Sequence, residues 1–293
     1  MSNPLHIISF LLIALFWGGS FFSIGVAVKH WPPFFCAFLR VFSAFLLIAI
    51  YLLLKRKRIE RPAVWLQAMG TGAFLMGIPW LFLFWGEKHV QPALAAILNS
   101  TVPIFTVLLT PLLTPSDKLS WNKWAGVWLG FAGVAVIFFP GISTDLSWHL
   151  LGLGAILIMA ICYAIGLLWM RRISRRIGNA SSLFYQALSG SLILGLATLF
   201  FELPGQALSF SWPPLLAALY LGVFSTAAAW LLFFGLVRDV GSVQAAAVTL
   251  LVPLVAILLD FFFWEKFIHL YQAFGAVVIL LAVFLINKKS KSA

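Results

Sequence analysis

Two ionisable side chains, Arg40 and Asp260, stand inside long apolar runs of this 293-residue chain. A lone Arg or Asp in hydrocarbon costs about 2.5 to 3.5 kcal/mol on insertion scales, so each calls for a partner or for water. Arg40 follows Pro33 by seven residues, about 10 Å at helical rise, and Asp260 lies near the same end of its own run, which puts the two at similar heights. Two chemistries fit: a structural Arg40–Asp260 pair, or an Asp260 carboxyl that takes up and releases a proton when it is desolvated. Thr249, Pro253, Ala256 and Asp260 follow an i, i+4, i+7, i+11 pattern, so they share one helical face.

Pro103 and Pro253 interrupt two further apolar stretches. A proline inside a helix cannot donate to the carbonyl four residues earlier, and those carbonyls belong to Asn99 and Thr249, a matched polar pair. Such kinks either repair themselves locally through the polar side chains or present carbonyls and side chains to a wet midplane cavity. Four large aromatics, Trp17, Trp80, Tyr163 and Trp230, also sit well inside apolar runs, whereas Trp31, Trp65, Trp121, Trp124, Trp148, Trp169, Trp212 and Trp264 fall near run ends, where an aromatic belt accounts for them. Lining a cavity, the first four would stack on flat aromatic solutes or attract organic cations by about 0.5 to 2 kcal/mol per ring. The alternative is plain packing.

The elements that must position these residues follow from composition. With 63% apolar and 9% charged residues, the chain belongs in a bilayer. Ten uncharged runs predict helices at about 6 to 28, 34 to 54, 64 to 86, 91 to 112, 122 to 139, 150 to 170, 181 to 201, 214 to 237, 241 to 263 and 268 to 286. They are uniformly apolar rather than alternating, so the fold class is an all-α integral membrane protein. The first run lacks a basic leader and reads as a retained helix rather than a signal peptide. Glu87, Lys88, His89 and Glu265 read as solvated residues at an outer mouth.

Ten spans put both termini on one side, and the loops of that side hold 15 Lys and Arg against three on the other. This bias predicts cytoplasmic termini and explains a net charge of +11 without nucleic acid. Cys36 and Cys162 lie in apolar runs and offer no disulfide framework or metal site.

The chain also repeats itself. Val90 to Pro103 aligns without gaps on Val240 to Pro253 at an offset of 150, Trp80 meets Trp230 at the same offset, and Trp17 meets Tyr163 and Arg40 meets Gln186 at 146. Two five-helix units, 1–147 and 148–293, are implied. Because five is odd the second is inverted, an architecture that suits alternating access.

The TrpGly at 17 and 18, Pro33 with Arg40, the prolines of helices four and nine, and Trp264-Glu265 followed by Gly275 resemble the EamA family of the drug/metabolite transporter superfamily over essentially the whole chain. That resemblance implies a bacterial inner-membrane carrier, usually an exporter of amino acids or other small metabolites. It also implies a central cavity and peripheral helices five and ten. Arg at position 40 is common in the family, and the first unit departs from its pattern in having Ser116-Asp117 where the second has Trp264-Glu265.

The expectation is therefore a secondary transporter of amino acids, aromatic compounds or organic cations. Trp17, Trp80, Asn99, Tyr163, Trp230 and Thr249 would bind the solute, while Arg40, Asp260, Pro103 and Pro253 would couple or gate. The small-molecule substrate and the lipid bilayer are the expected partners, with proton coupling through Asp260 and no cofactor, metal or nucleic acid. The rivals are an uncoupled facilitator or exchanger and, more remotely, an intramembrane enzyme. Gly126, Gly130 and Gly133 form a close-packing face, used inside a monomer or in a homodimer.

Overall fold

The computed structural model describes residues 4–56, 60–90, 92–115, 120–138, 147–202, 212–255, 258 and 270–287, and among them the regular structure is all helical. In hydrocarbon every backbone amide needs an internal partner, which these uniformly apolar stretches obtain by coiling. Among the described residues six helices are long and apolar enough to cross a membrane: α1 (Pro4–His30), α2 (Pro33–Leu54), α3 (Pro62–His89), α7 (Leu150–Ile173, the core of a helix starting at Ser147), α8 (Asn179–Phe201) and α9 (Trp212–Val240). Shorter helices are α4 (Pro92–Asn99), α5 (Val102–Leu113), α6 (Trp121–Phe138), α10 (Ser242–Val255) and α11 (Leu270–Asn287). Prolines open α2 and α3, where the missing amide hydrogen costs nothing.

Three helices depart from α geometry, and a fourth expected helix is divided in two. Helix α3 widens into a π turn over Ala73–Gly77, just before Pro79, which lets the chain pass a residue with no amide hydrogen. Helix α9 has a longer π segment, Leu221–Ala228, in which the Thr226 hydroxyl donates to the Leu221 carbonyl at 2.8 Å, spanning the same five-residue step.

The expected helix over 91 to 112 is two helices, because the chain leaves α geometry at Ser100 and Thr101. Pro103 is therefore in the first turn of α5 and not mid-helix. In α10 the chain tightens to a 3-10 turn at Ala247–Leu250, ahead of Pro253. Both breaks precede the proline, so the strain of a buried ring against the previous turn is avoided rather than absorbed. The Ser100 hydroxyl reaches the Thr249 carbonyl at 3.3 Å, tying one break to the other.

Helices α6 and α11 pack on each other and otherwise chiefly on the broken helices. A Cβ on Gly126 would meet Ile286 at 2.6 Å, and one on Gly133 would meet the Gly275 carbonyl at 3.0 Å. The glycine face of α6 is thus covered by α11 of the same chain.

Candidate functional site

A partly open cavity lies among α1, α2, α3, α4, α5, α7, α9 and α10. Six residues singled out from the sequence line it: Trp17, Arg40, Asn99, Tyr163, Trp230 and Thr249. Ser20, Phe21, Leu83, Val102, Leu167 and Phe233 complete the wall.

One side of the cavity is aromatic. Trp17 lies 5.4 Å from Trp230 and 4.9 Å from Phe233 between ring centres, and Tyr163 lies 6.2 Å from Trp230, with every pair inclined by more than 50°. Inclined rings at these separations attract edge to face and leave an angled wall rather than a parallel slot. The Trp17 indole N–H donates to the Ser225 carbonyl at 3.0 Å, inside the π segment of α9, so this ring is fixed by a backbone group that the π turn freed. The Trp230 indole nitrogen is buried and has no hydrogen-bond partner among the described residues.

Arg40 supplies the charge. It is 3% exposed; its Nε–H donates to the Thr226 hydroxyl at 2.9 Å, and its guanidinium carbon lies 4.1 Å from the centre of the Trp80 ring. Thr226 can accept because its own hydrogen is committed to Leu221. Among the described residues Arg40 makes no ion pair; Asp260, its expected partner, lies outside the described residues.

Trp80 differs from its expected position. It is fully buried behind the wall, with one face covered by Arg40 and its indole N–H donated to the Tyr163 hydroxyl at 2.5 Å. Trp230 differs: Gln186, which the internal repetition aligns with Arg40, turns to Ser182 at 2.8 Å, and no cation covers Trp230 among the described residues. Pro103 and Pro253 are not on the wall; they sit just beyond the breaks that bring Asn99 and Thr249 to it. The Thr249 hydroxyl is committed to the Ala246 carbonyl at 2.9 Å.

Two residues escaped the sequence reading. Thr226, 186 positions from Arg40, is its direct partner. Glu87, expected at a solvated rim, is 5% exposed, and both of its carboxyl oxygens are buried without a hydrogen-bond partner among the described residues. The local signal was Gly86: a Cβ there would meet Ile156 at 2.8 Å and the Gly152 carbonyl at 3.2 Å, so α7 closes tightly over this end of α3.

Multiple apolar spans around a cavity with one fixed cation and an aromatic wall define a membrane transporter, and comparison with known proteins agrees. The family model described as "EamA-like transporter family" matches residues 4–139 and again 150–288, and the chain belongs to that family. It is 28% identical to "Protein PagO" of Salmonella typhimurium over 95% of this chain and 91% of that protein. It is also 28% identical to "Uncharacterized inner membrane transporter YedA" of Escherichia coli K12 (85% and 80% covered) and to "Uncharacterized transporter YvbV" of Bacillus subtilis (98% and 92%). A solved crystal structure superimposes with a TM-score of 0.80 at 19% identity, covering 98% of this chain and 99% of that one, which shows a shared fold. The protein is a multi-pass membrane transporter.

Proposed function

We propose that the chain is a secondary carrier of ten spans, built from inverted units 1–147 and 148–293, that moves a small aromatic carboxylate such as an amino acid by rocking the units about the central cavity. The observation that carries this reading is the cavity wall itself, which draws Trp17, Arg40 and Asn99 from one unit and Tyr163, Trp230 and Thr249 from the other. A wall shared in this way opens to either side when the units tilt against each other.

Matched irregularities support the duplication. The family model fits twice. The π segments Ala73–Gly77 and Leu221–Ala228, and the breaks at Ser100–Thr101 and Ala247–Leu250, recur at a spacing near 150. Gly72 packs against the backbone of Gln186 and Gly222 against the carbonyl of Arg40, two contacts that the repeat exchanges. Five spans per unit invert the second, and the excess of Lys and Arg on one side favours cytoplasmic termini.

Charge narrows the solute. A guanidinium stays protonated, and its two terminal nitrogens have no protein partner among the described residues. That group repels organic cations and offers a carboxylate a bidentate, charge-assisted bond. The rings of Trp17, Trp230 and Phe233 supply apolar area for an aromatic side chain.

The test is a thermal-shift screen of purified protein against aromatic amino acids, aliphatic amino acids and quaternary ammonium compounds, since a ligand of the folded state stabilises it by mass action. Aromatic amino acids should raise the melting temperature in wild type and not in Arg40→Gln. Stabilisation by quaternary ammonium compounds alone would refute the carboxylate reading.

A further inference from the structure

Glu87 has a role that the cavity wall alone does not explain. It follows Trp80 by seven residues on α3, two turns along the same face, and Arg40 of α2 is the charged group within electrostatic reach. Tyr163 of α7 also feels it. Of the helices that pack on this part of α3, α1 carries Lys29 and His30 in its last turn and α8 runs into Glu202, which lies within electrostatic reach of Lys88, while α4 has no titratable side chain; Lys88 and His89 are the neighbours of Glu87 in sequence. Yet no ion pair joins Glu87 to Arg40, whose Nε–H is committed to Thr226 and whose guanidinium lies on Trp80. A bare carboxylate enclosed without one hydrogen bond carries a desolvation penalty of several kcal/mol. A neutral carboxylic acid in the same place avoids most of it.

We propose that Glu87 is a proton-binding site linked to the cavity through Arg40, so that one proton and one carboxylate solute occupy the carrier together. This rests on the carboxylate reading of the cavity. With the solute's carboxylate on Arg40, Glu87 holds its proton. When the solute leaves, Arg40 is uncompensated and Glu87 holds its proton less tightly; as pH rises that proton passes to water, and the resulting carboxylate pairs with the guanidinium. Two anions compete for one cation, which makes the coupling reciprocal: solute favours the proton and the proton favours the solute. Arg40 already lies over Trp80 on the helix that carries Glu87, so pairing requires the guanidinium to swing along α3 over the two turns, about 10 Å of helical rise, that separate Trp80 from Glu87.

Linkage fixes the sign. Binding that takes up one proton weakens as pH rises, by up to about tenfold in affinity per pH unit. Two measurements test this. In infrared spectra of purified protein in lipid nanodiscs at neutral pH without solute, the C=O stretch of a protonated carboxyl should appear in wild type and be missing from Glu87→Gln, an isosteric change that mimics the neutral acid. The same band in both proteins overturns the proposal whatever the cavity binds. Second, L-phenylalanine binding followed by tryptophan fluorescence should weaken about tenfold per pH unit in wild type as that band bleaches, and should be independent of pH in Glu87→Gln. Wild-type binding that ignores pH overturns the linkage with no variant required, and so does a Glu87→Gln protein that keeps the wild-type slope. If L-phenylalanine binds neither protein, the carboxylate reading fails and the linkage with it, while the infrared band still decides whether Glu87 holds a proton.

Discussion

Adding one methyl group at Gly72 should separate α3 from α8. A Cβ built there stands 2.5 Å from the Gln186 Cα, 2.6 Å from its carbonyl oxygen and 2.9 Å from its carbonyl carbon. All three atoms are backbone inside a continuous helix, so relief requires one helix to retreat. Overpacking of this kind costs about 1 to 3 kcal/mol, and rigid backbone puts Gly72→Ala at the upper end. The better helix propensity of alanine returns up to about 1 kcal/mol, which leaves a net loss of about 2 kcal/mol. Gly222 is the control. Its Cβ would first strike the Ser43 hydroxyl, which can rotate away at the loss of its 3.0 Å bond to the Arg40 carbonyl; the remaining contacts are 3.0 and 3.1 Å. Gly222→Ala should therefore cost about 1 kcal/mol or less, and pairing it with Ser43→Ala should recover part of that. Unfolding of the purified proteins in detergent, followed by tryptophan fluorescence, ranks the three. A Gly72→Ala protein as stable as wild type, or less affected than Gly222→Ala, would refute the close approach of the helices.

Trp80→Phe removes the bond to Tyr163 and weakens the attraction to Arg40, so it should lower stability by about 1 to 2 kcal/mol and leave L-phenylalanine binding within a few-fold; Trp230→Ala, on the wall, should abolish it. Glu202 accepts the amide hydrogens of Phe34 and Phe35, both at 2.7 Å, capping α2 from the end of α8, and burial holds its carboxyl above the ordinary Glu range against the opposing pull of those bonds. The folded chain thus binds this proton more tightly than the unfolded chain, so the contribution of Glu202 is largest below the ordinary Glu range and declines as pH rises through the raised value; Glu202→Gln should flatten that decline in a pH series of melting curves. Asp260→Asn should keep pH-dependent L-phenylalanine binding, because the proton resides on Glu87; loss of the slope in Asp260→Asn with its retention in Glu87→Gln would transfer the proton to Asp260.

How much of this was legible in the sequence depends on whether a feature is set locally. Helix placement follows from uninterrupted apolar runs, and the breaks near Pro103 and Pro253 follow from a missing amide hydrogen, although the chain yields three residues earlier than the proline suggested. Trp17, Tyr163 and Trp230 could be selected because large aromatics deep in a span are set apart from belt positions. What remained hidden was pairing across the fold. Thr226 meets Arg40 only because α9 turns through a π segment, and neither its length nor its position is written in Leu221–Ala228 as a composition. Glu87 reads as rim because Lys88 and His89 follow it; its burial depends on Gly86 and Gly152 letting α7 approach. Trp80 was misplaced because aligned positions need not share environments: the first unit has a cation to cover the ring, and the second has Gln186.

Access to the cavity decides the central question. Ser20 lines the wall at 5% exposure and, in a protein whose buried Cys36 and Cys162 are replaced by alanine, can be converted to a single reporter cysteine. In oriented lipid vesicles a carrier that alternates should let a membrane-impermeant thiol reagent label Ser20→Cys from either face, with L-phenylalanine slowing both reactions. Labelling from one face only, or from both with no protection by L-phenylalanine, would contradict a solute cavity shared by two rocking units.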